Sequence, residues 1–515
     1  MNGAESLLRT LTANRVDLCL MNPGTSEMQF VSALDRVPEM RGVLCLFEGV
    51  CSGAADGYAR MTGKPAATLL HLGPGLGNAI SNFHNARKAR SPIINIVGEH
   101  STQHLGHDAP LTADIEGIAR PVSGWVRTLA RAESMGESAA EAVAAAMGPP
   151  GRIATLIIPA DFSWSEAGDP GPAVAQLSRR LPTDDQIRHV AAVLRSTQRT
   201  GIILGGTALH AGGLRAAARL HAATGMAIFA NRNSGRITRG IGVPAAMRIP
   251  YFPEPAQALL AEFDRLILVE TRPPVSFFGY PGLRSTLAPP DCVFEILASE
   301  DQDGVGALEW LASEMGAPSS FDIPEPARPQ LPVGEELNAA TIGRAVAALV
   351  PEGVIFSDES ISASEPIWQQ LAGAPAHDFL PVTGGSIGQG LPVAVGAALA
   401  CPGRKVVALE ADGSAMYTPQ SLWSMAREHL DATVVILANR RYRILDIEMR
   451  RTGAGPVGPR ADRMLDLTNP APDWIQLSAG FGVHATRATT ADEFIREFRA
   501  AMSEPGPHVI EAVID

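Results

Sequence analysis

The sequence predicts an α/β protein built from three doubly wound parallel-sheet domains. Apolar, strand-like runs alternate with helical patterns along the whole chain, which is typical of parallel sheets covered by helices. With 515 residues the chain is too long for one hydrophobic core, and three domains are expected. Proline-rich stretches at 166–183 and 316–334 interrupt the alternation. We therefore expect domains at 1–165, 184–315 and 335–515.

The composition argues against several classes of protein. The net charge of −12, without any run of Lys or Arg, argues against a nucleic-acid partner. No segment reaches the roughly 18 apolar residues of a membrane span, and the N-terminus lacks the apolar stretch of a secretory signal. The five cysteines are scattered and predict buried, reduced thiols. We expect a cytoplasmic protein with no membrane partner.

The first domain places a single carboxylate, Glu48, directly after an apolar strand. The pattern of this region predicts helices and strands in the order Glu5–Asn14, Val16–Met21, Gly42–Phe47, Ala54–Met61 and Ala66–Leu70. Ligands bind at the carboxyl ends of the strands in α/β sheets, so Glu48 is a candidate functional residue. The alternative is a glutamate that merely favours the start of a helix.

A glycine-rich segment, His71 to Asn78, follows the last of these strands. The alternation Gly73-x-Gly75-x-Gly77 imitates a dinucleotide loop, but it lacks GxGxxG spacing and an acidic residue about 20 positions further on. We expect these glycines to let the backbone approach a cofactor ring, with His71 facing the same cavity. A purely structural histidine is the alternative.

Three histidines further along, His100, His104 and His107, could imitate a zinc cluster. The segment supplies no Cys or carboxylate at helical spacing, so metal binding there is disfavoured.

The middle domain has one recognisable turn, Gly205-Gly206, after the strand Gly201–Leu204. We find no FAD signature there. FAD is therefore not expected, and a structural role is predicted for this domain.

The last domain carries the strongest motif. The strand Lys405–Leu409 leads to Asp412-Gly413-Ser414, and a helix is predicted to begin at Thr418 and Pro419 and to last to about Leu430. A second strand delivers Asn439, 27 positions after Asp412. A hydroxyl and backbone N–H groups at a helix N-terminus suit a diphosphate, and the Asp412 and Asn439 oxygens suit a Mg²⁺ ion that bridges it. A bare Asp-Gly-Ser is common in surface turns, and that alternative stays open.

This block resembles the GDG…N signature of thiamine-diphosphate (ThDP) enzymes, with Ala411 in place of the first glycine. With Glu48 and the His71–Asn78 segment in order, the whole chain resembles the ThDP-dependent 2-oxo acid decarboxylase and carboligase family. Within it the resemblance is greatest to benzoylformate decarboxylase and to acetolactate synthase large subunit-like proteins. It implies a pyrimidine-binding domain, a middle domain and a diphosphate-binding domain.

The resemblance also implies roles for individual residues. Glu48 would activate the cofactor, His71 would shuttle protons and Thr25 would bind the substrate, while the main-chain carbonyl of Arg441 would complete a Mg²⁺ set with Asp412 and Asn439. The cofactor-binding residues implied are Glu48, Asn78, Ser360, Ser362, Gly385, Ile387, Asp412, Gly413, Ser414 and Asn439. The substrate pocket implied consists of Thr25, Leu111, Phe278 and Ile444.

Two departures separate the chain from both specific activities. Phe278 stands where benzoylformate decarboxylases have a second histidine, and Pro110-Leu111 stands where acetohydroxyacid synthases have a Phe-Gln pair. The resemblance thus implies decarboxylation of a small 2-oxo acid, followed by protonation of the enamine or its carboligation to an aldehyde or ketone acceptor. Acetohydroxyacid synthesis and a catalytically silent partner subunit are the alternatives. The resemblance implies a homodimer or a homotetramer, because the cofactor would lie between two subunits.

Overall fold

The computed structural model describes residues 1–175, 177–196, 199–455 and 457–514, and it contains three sheets in which parallel pairing dominates. The first sheet has the order β2-β1-β3-β4-β6-β5, and all its strands are parallel. Its strands are β1 Leu18–Asn22, β2 Arg41–Leu44, β3 Ala66–Leu70, β4 Ile93–Glu99, β5 Trp125–Thr128 and β6 Ile153–Pro159. Its helices are α1 Gly3–Ala13, α2 Met28–Ala33, α3 Glu48–Thr62, α4 Leu72–Ala89, α5 Ile115–Ala119, α6 Met135–Met147 and α7 Ala160–Trp164.

The second sheet has the order β10-β8-β7-β11-β12 and is also parallel. The strands of this part of the chain are β7 Thr200–Leu204, β8 Ala227–Ala230, β9 Ile237–Arg239, β10 Met247–Arg248, β11 Arg265–Val269 and β12 Val293–Ala298. The helices are α8 Asp184–Leu194, α9 Ala211–Thr224, α10 Pro253–Leu260 and α11 Gly304–Glu314. Strand β9 is not part of this sheet and pairs instead with β14 of the third one.

The third sheet has the order β17-β18-β16-β15-β13-β14-β9, with only the edge strand β9 antiparallel. The strands are β13 Ile355–Glu359, β14 His377–Pro381, β15 Val406–Ala411, β16 Ala432–Ala438, β17 His484–Ala488 and β18 His508–Val513. The helices are α12 Ala339–Leu349, α13 Ser364–Gln370, α14 Gly390–Ala400, α15 Asp412–Ala415, α16 Gln420–Arg427, α17 Arg443–Arg451, α18 Pro459–Asp462, α19 Trp474–Gly480 and α20 Ala491–Ser503. These three sheets confirm the predicted fold class.

Small residues let the first and third sheets approach each other through the helices α3 and α14. A Cβ atom at Gly57 would lie 2.2 Å from the carbonyl oxygen of Val393, and one at Gly396 would lie 1.9 Å from that of Ala54. Glycine is therefore the residue that allows this contact. The core that results is continuous between the two domains.

Some predicted boundaries are wrong, and the errors concern the candidate site. Helix α3 begins at Glu48, so Glu48 occupies the first helical position and does not end a strand. Helix α4 begins at Leu72 and contains all three glycines of the predicted loop. The Asp-Gly-Ser turn itself forms the short helix α15, and the Thr418 hydroxyl donates to the carbonyl of Gly388 at 3.0 Å instead of capping α16. Within the described ranges, no helix is both long and apolar enough to span a membrane.

Candidate active site

The amide side chains of α4 connect the start of α3 to the loop that precedes α14. Asn82 Nδ2 donates to the carbonyl of Gly49 at 2.8 Å and to that of Gly388 at 3.1 Å. Asn85 donates to the carbonyl of Ser386 at 2.7 Å and accepts from the N–H of the same residue at 3.2 Å. Asn78, Asn82 and Asn85 share one face of α4. Only Asn78 was expected from the sequence, because the glycine pattern did not predict a helix there.

Glu48 is held by the first of these amides. Its side chain is buried, and its Oε2 accepts from Asn78 Nδ2 at 2.9 Å. A Cβ atom at Gly75 would lie 3.3 Å from Glu48 Oε1 and would crowd it. The glycine pattern of α4 thus leaves room for the carboxylate, which keeps one oxygen free of any hydrogen bond within the described chain.

His71 forms a pair with a carboxylate that was not expected from the sequence. Its Nδ1 lies 2.9 Å from Glu27 Oε2, which also accepts from the N–H of Gly24 at 2.8 Å. Glu27 is buried, and burial raises the pKa of its carboxyl, partly opposed by the neighbouring His71. Because Nδ1 faces Glu27, the pair fixes the imidazole orientation and leaves Nε2 for other contacts.

The turn around Gly24 carries Thr25 next to this pair. A Cβ atom at Gly24 would lie 2.3 Å from the His71 ring, so only glycine fits there. Thr25 is exposed and Leu111 is half-buried. The fold thus brings Thr25 near His71, while no described contact joins either residue to Leu111.

Asp412 and Asn439 follow the neighbouring strands β15 and β16. Asp412 is buried, and its two oxygens accept from the N–H groups of Gly413 at 3.0 Å and Arg440 at 2.7 Å. Burial raises the pKa of this carboxyl to about 6, although both N–H groups oppose the shift. Asn439 Oδ1 accepts from the N–H of Arg441 at 3.0 Å.

The remaining predicted metal ligand, the main-chain carbonyl of Arg441, follows Asn439 at the same edge of the sheet. The Arg441 carbonyl accepts from the N–H of Arg443 at 2.8 Å, while its guanidinium pairs with Asp446 and Asp462. Among the described residues no group of three His, Cys, Asp or Glu side chains could hold a metal. One carboxylate, one amide and one carbonyl fit Mg²⁺, which commonly takes few protein ligands and completes its shell with phosphates and water.

A cluster of buried carboxylates beneath the loop 383–390 is absent from the sequence predictions. Glu359 accepts from the N–H groups at the start of α14, with 2.5 Å to Gly388 and 2.7 Å to Gln389. Burial raises the pKa of Glu359 to about 7 and that of the adjacent Glu410 well above its ordinary value. Neither Glu410 oxygen has a hydrogen-bond partner among the described residues. The alternation of strand-like and helical patterns in the sequence places Glu359 and Glu410 in strands, but it does not indicate that the two carboxylates meet.

The serines that were expected to bind the cofactor differ in how free their hydroxyl groups are. Ser360 is buried, and its hydroxyl donates to Asp358 at 2.5 Å, whereas Ser362 is half-buried. Ser414 Oγ donates to the carbonyl of Ala411 at 3.0 Å. Gly413 lies under the ring of Tyr442, and a Cβ atom there would lie 2.6 Å from its Cε1.

The middle domain contributes Phe277 to the surroundings of the loop 383–390. A Cβ atom at Gly385 would lie 2.3 Å from Phe277 Cζ, and Gly385 has a φ of +79° that favours glycine. Phe278 packs against Phe277 with ring centroids 5.0 Å apart but is 52% exposed. Ile387 and Ile444 are half-buried. The aromatic side chain that contacts the loop is therefore Phe277, the neighbour of the predicted residue.

A cavity of about 460 Å³ lies away from these groups, between the first two sheets. It lies beside the turn at Gly206, where the Glu270 carboxylate occupies the space next to the backbone N–H groups. This carboxylate accepts from the Thr207 N–H and hydroxyl, both at 2.7 Å, and from the Gly304 N–H at 2.9 Å. The middle domain thus supplies its own anion to this turn and to the start of α11.

The chain is similar to known proteins over most of its length. The N-terminal TPP binding domain of thiamine pyrophosphate enzymes matches residues 1–118, and the C-terminal TPP binding domain matches 367–512. A Mycobacterium tuberculosis protein provisionally named acetolactate synthase large subunit IlvX is 48% identical over 515 residues, covering 100% of this chain and 99% of that protein. Benzoylformate decarboxylase of Pseudomonas aeruginosa is 29% identical over 521 residues, covering 95% and 94%. The solved thiamine diphosphate-dependent 4-hydroxybenzoylformate decarboxylase of Rhodococcus jostii RHA1 is 25% identical, with a TM-score of 0.87 over 99% of this chain and 98% of that one.

Proposed function

Because this chain belongs to the thiamine pyrophosphate enzymes, we propose that it catalyses the ThDP- and Mg²⁺-dependent decarboxylation of a 2-oxo acid. The observation that carries this proposal is the buried Asp412 carboxylate beside Asn439, satisfied only by two backbone N–H groups among the described residues. Such a carboxylate retains lone pairs for a cation, and a cation would offset the cost of its burial.

The cofactor's own contribution is an electron sink for the electrons left behind when CO₂ departs from the substrate. Asp412, Asn439 and the Arg441 carbonyl would hold Mg²⁺ against its diphosphate, near the N–H groups of α15. Gly385, through its carbonyl, and Ile387 would hold its aminopyrimidine.

Three side chains of the first domain would handle protons and substrate. The Glu48 carboxylate, oriented by Asn78, would share a proton with the aminopyrimidine ring. His71, oriented by Glu27, would move a proton at the reacting carbon of the substrate through Nε2. Thr25 would orient the substrate carboxylate. A site completed by the last domain of a second subunit makes a homodimer the smallest active unit in this proposal, and a homotetramer is compatible with it.

Acetolactate synthesis is a second candidate, since the M. tuberculosis relative at 48% identity carries that name. Both candidate reactions begin with the loss of CO₂, and they differ in what then reacts with the remaining part of the substrate. In the first, a proton completes the reaction. In the second, a 2-oxo acid acceptor does.

The test is CO₂ release from a panel of 2-oxo acids, with ThDP and Mg²⁺, alongside chromatography for aldehydes and acetohydroxy acids. Release with aldehyde supports decarboxylation, and release with acetolactate from pyruvate supports the second candidate. Release from no substrate by a protein shown to retain ThDP would favour a catalytically silent partner subunit. Glu48→Gln serves as the inactive control.

A further inference from the structure

Helix α17 spans the distance between the last sheet and the middle domain. Tyr442, which precedes it, packs on Gly413 at the candidate diphosphate site, and the helix contacts the turn after β13. At its other end Arg451 lies between two rings, 4.1 Å from the Phe252 centroid and 4.7 Å from the Tyr280 centroid. Arg451 also pairs with Glu254. The helix is thus anchored to the candidate diphosphate site at one end and to the middle domain at the other.

Glu448 lies on the same face of α17 as Ile444, because residues four positions apart are neighbours on a helix. Its Oε1 accepts from the Tyr280 hydroxyl at 3.0 Å. Tyr280 is buried, so this hydrogen bond holds the carboxylate in a defined position. Within the described ranges, Glu448 Oε2 has no hydrogen-bond donor, and Glu448 is half-buried.

Aromatic rings connect Glu448 with the candidate cofactor loop. Phe277 contacts Gly385 of that loop, and its centroid lies 5.3 Å from that of Tyr251 and 5.0 Å from that of Phe278. Tyr251 also packs against Phe252, with ring centroids 5.0 Å apart. Arg451 lies between Phe252 and Tyr280, whose hydroxyl donates to Glu448. These rings form an aromatic wall that leads from Gly385 to Glu448.

The charges along this wall restrict what it can receive. The Arg232 guanidinium lies 5.6 Å from the Tyr251 centroid, and Arg451 occupies the Tyr280 face. A cationic side chain would meet these two arginines, although aromatic faces otherwise attract cations. An anionic side chain would meet Glu448. A neutral aromatic group that ends in a hydrogen-bond donor could pack against the aromatic wall and donate to Glu448 Oε2.

We propose that Glu448, held by Tyr280, is a specificity-determining residue that accepts a hydrogen bond from the hydroxyl at the far end of an aromatic 2-oxo acid. This inference rests on the proposed function, since it names the substrate class of the same site. A site built to bond a substrate hydroxyl discriminates against the analogue without it, because its polar group is then left unpaired.

The experiment compares 4-hydroxybenzoylformate with benzoylformate as substrates of the holoenzyme. We expect kcat/KM to favour the hydroxylated acid by about tenfold or more in the natural protein, and Glu448→Leu to remove that preference while benzoylformate changes by less than about threefold. Glu254→Gln, which alters another carboxylate in contact with Arg451, should keep the preference. An absent preference, or one that survives Glu448→Leu, would overturn the inference.

Binding of unreactive analogues separates this inference from the proposed function. Calorimetry of the holoenzyme with 4-hydroxymandelate and mandelate should show the same preference and the same loss in Glu448→Leu. If no 2-oxo acid is decarboxylated but the analogue preference holds, the proposed function fails and Glu448 recognition stands. If a 2-oxo acid is decarboxylated but both analogues bind equally, the proposed function stands and Glu448 recognition fails. Preference for 2-oxo-5-guanidinopentanoate or 2-oxoglutarate over the phenolic acid would also overturn the inference.

Discussion

The middle and last sheets use similar turns in opposite ways. In both, a small-residue turn follows a buried strand. The turn at Gly205-Gly206 leads into a short 3-10 helix, Gly206–Leu209, and the turn at Asp412-Gly413 forms α15. In the middle domain the Glu270 carboxylate fills the turn and accepts from Thr207 and Gly304. In the last domain Asp412 accepts only from Gly413 and Arg440, and no described carboxylate bonds the Ser414 N–H. A glycine turn can serve a phosphate only where the protein has not supplied its own anion.

The comparison predicts its largest effect at Asp412. Asp412→Ala should abolish ThDP retention while leaving the fold intact, because the carboxylate's role is to hold Mg²⁺ against the diphosphate. Glu270→Ala is the matched control, since it removes the carboxylate of the middle turn and should leave ThDP affinity unchanged. Calorimetric titration with ThDP and Mg²⁺ measures both, and full occupancy in Asp412→Ala would contradict the metal assignment.

Glu48→Gln should retain ThDP but slow hydrogen–deuterium exchange at C2 of the bound cofactor by about a hundredfold or more. The amide still fits beside Asn78, yet it cannot share the ring proton. Glu27→Gln, which alters the carboxylate paired with His71, should leave this exchange at the natural rate and slow turnover instead. NMR of quenched samples gives the exchange rate. Natural exchange in Glu48→Gln would remove Glu48 from the mechanism.

A middle-domain residue reaches the last sheet at Phe277, so a histidine there should alter product partition. The resemblance aligned Phe278 with the second histidine of benzoylformate decarboxylases, but the side chain that contacts Gly385 is that of Phe277. With an acceptor aldehyde present, we expect Phe277→His to raise free aldehyde relative to 2-hydroxyketone several-fold. Phe278→His, at a 52% exposed position, should change the ratio less. Chromatography yields both products, and equal ratios in both variants would place the proton donor elsewhere.

The buried Glu359 should make the cofactor-free protein less stable as the pH rises. Its pKa lies near 7 in the folded chain, above its ordinary value of 4.5, because of burial. The folded state therefore binds the proton more tightly, and stability present below pH 4.5 is lost as the pH passes through 7. From about pH 5 to 8 the loss should be on the order of 2 kcal/mol, and Glu359→Gln should reduce it. Urea unfolding at several pH values tests this, and equal pH slopes would contradict it.

Glu270→Gln in the middle turn should have the smallest effect on the candidate active site. The amide offers fewer acceptor sites to Thr207 and Gly304, which should cost about 1–3 kcal/mol of unfolding free energy. ThDP affinity and turnover should stay at the natural values. A loss of ThDP binding in this variant would show that the two turns are coupled and would break the comparison.

Several features of the site could be predicted from the sequence because they depend on local patterns. Asp412 and Asn439 follow apolar strands that can be recognised from their hydrophobicity alone. Because these strands are parallel neighbours, their carboxyl ends lie at the same edge of the sheet. Helix starts were less predictable. The glycines of α4 disfavour a helix by local propensity, yet they are helical. Tertiary packing explains why they are glycines, because a Cβ atom at Gly73 would lie 2.4 Å from that of Ala113 and one at Gly75 would crowd Glu48.

Periodicity and short motifs are local properties, and they were enough to establish the α/β class, the family resemblance and the order of the candidate ligands. Which side chains meet depended instead on the packing of distant elements. The Glu27–His71 pair, the Asn82 link between Gly49 and Gly388, and the Tyr280–Glu448 bond include contacts between residues that are 44, 306 and 168 positions apart. No local pattern encodes such contacts, because they form only when sheets and helices pack against one another.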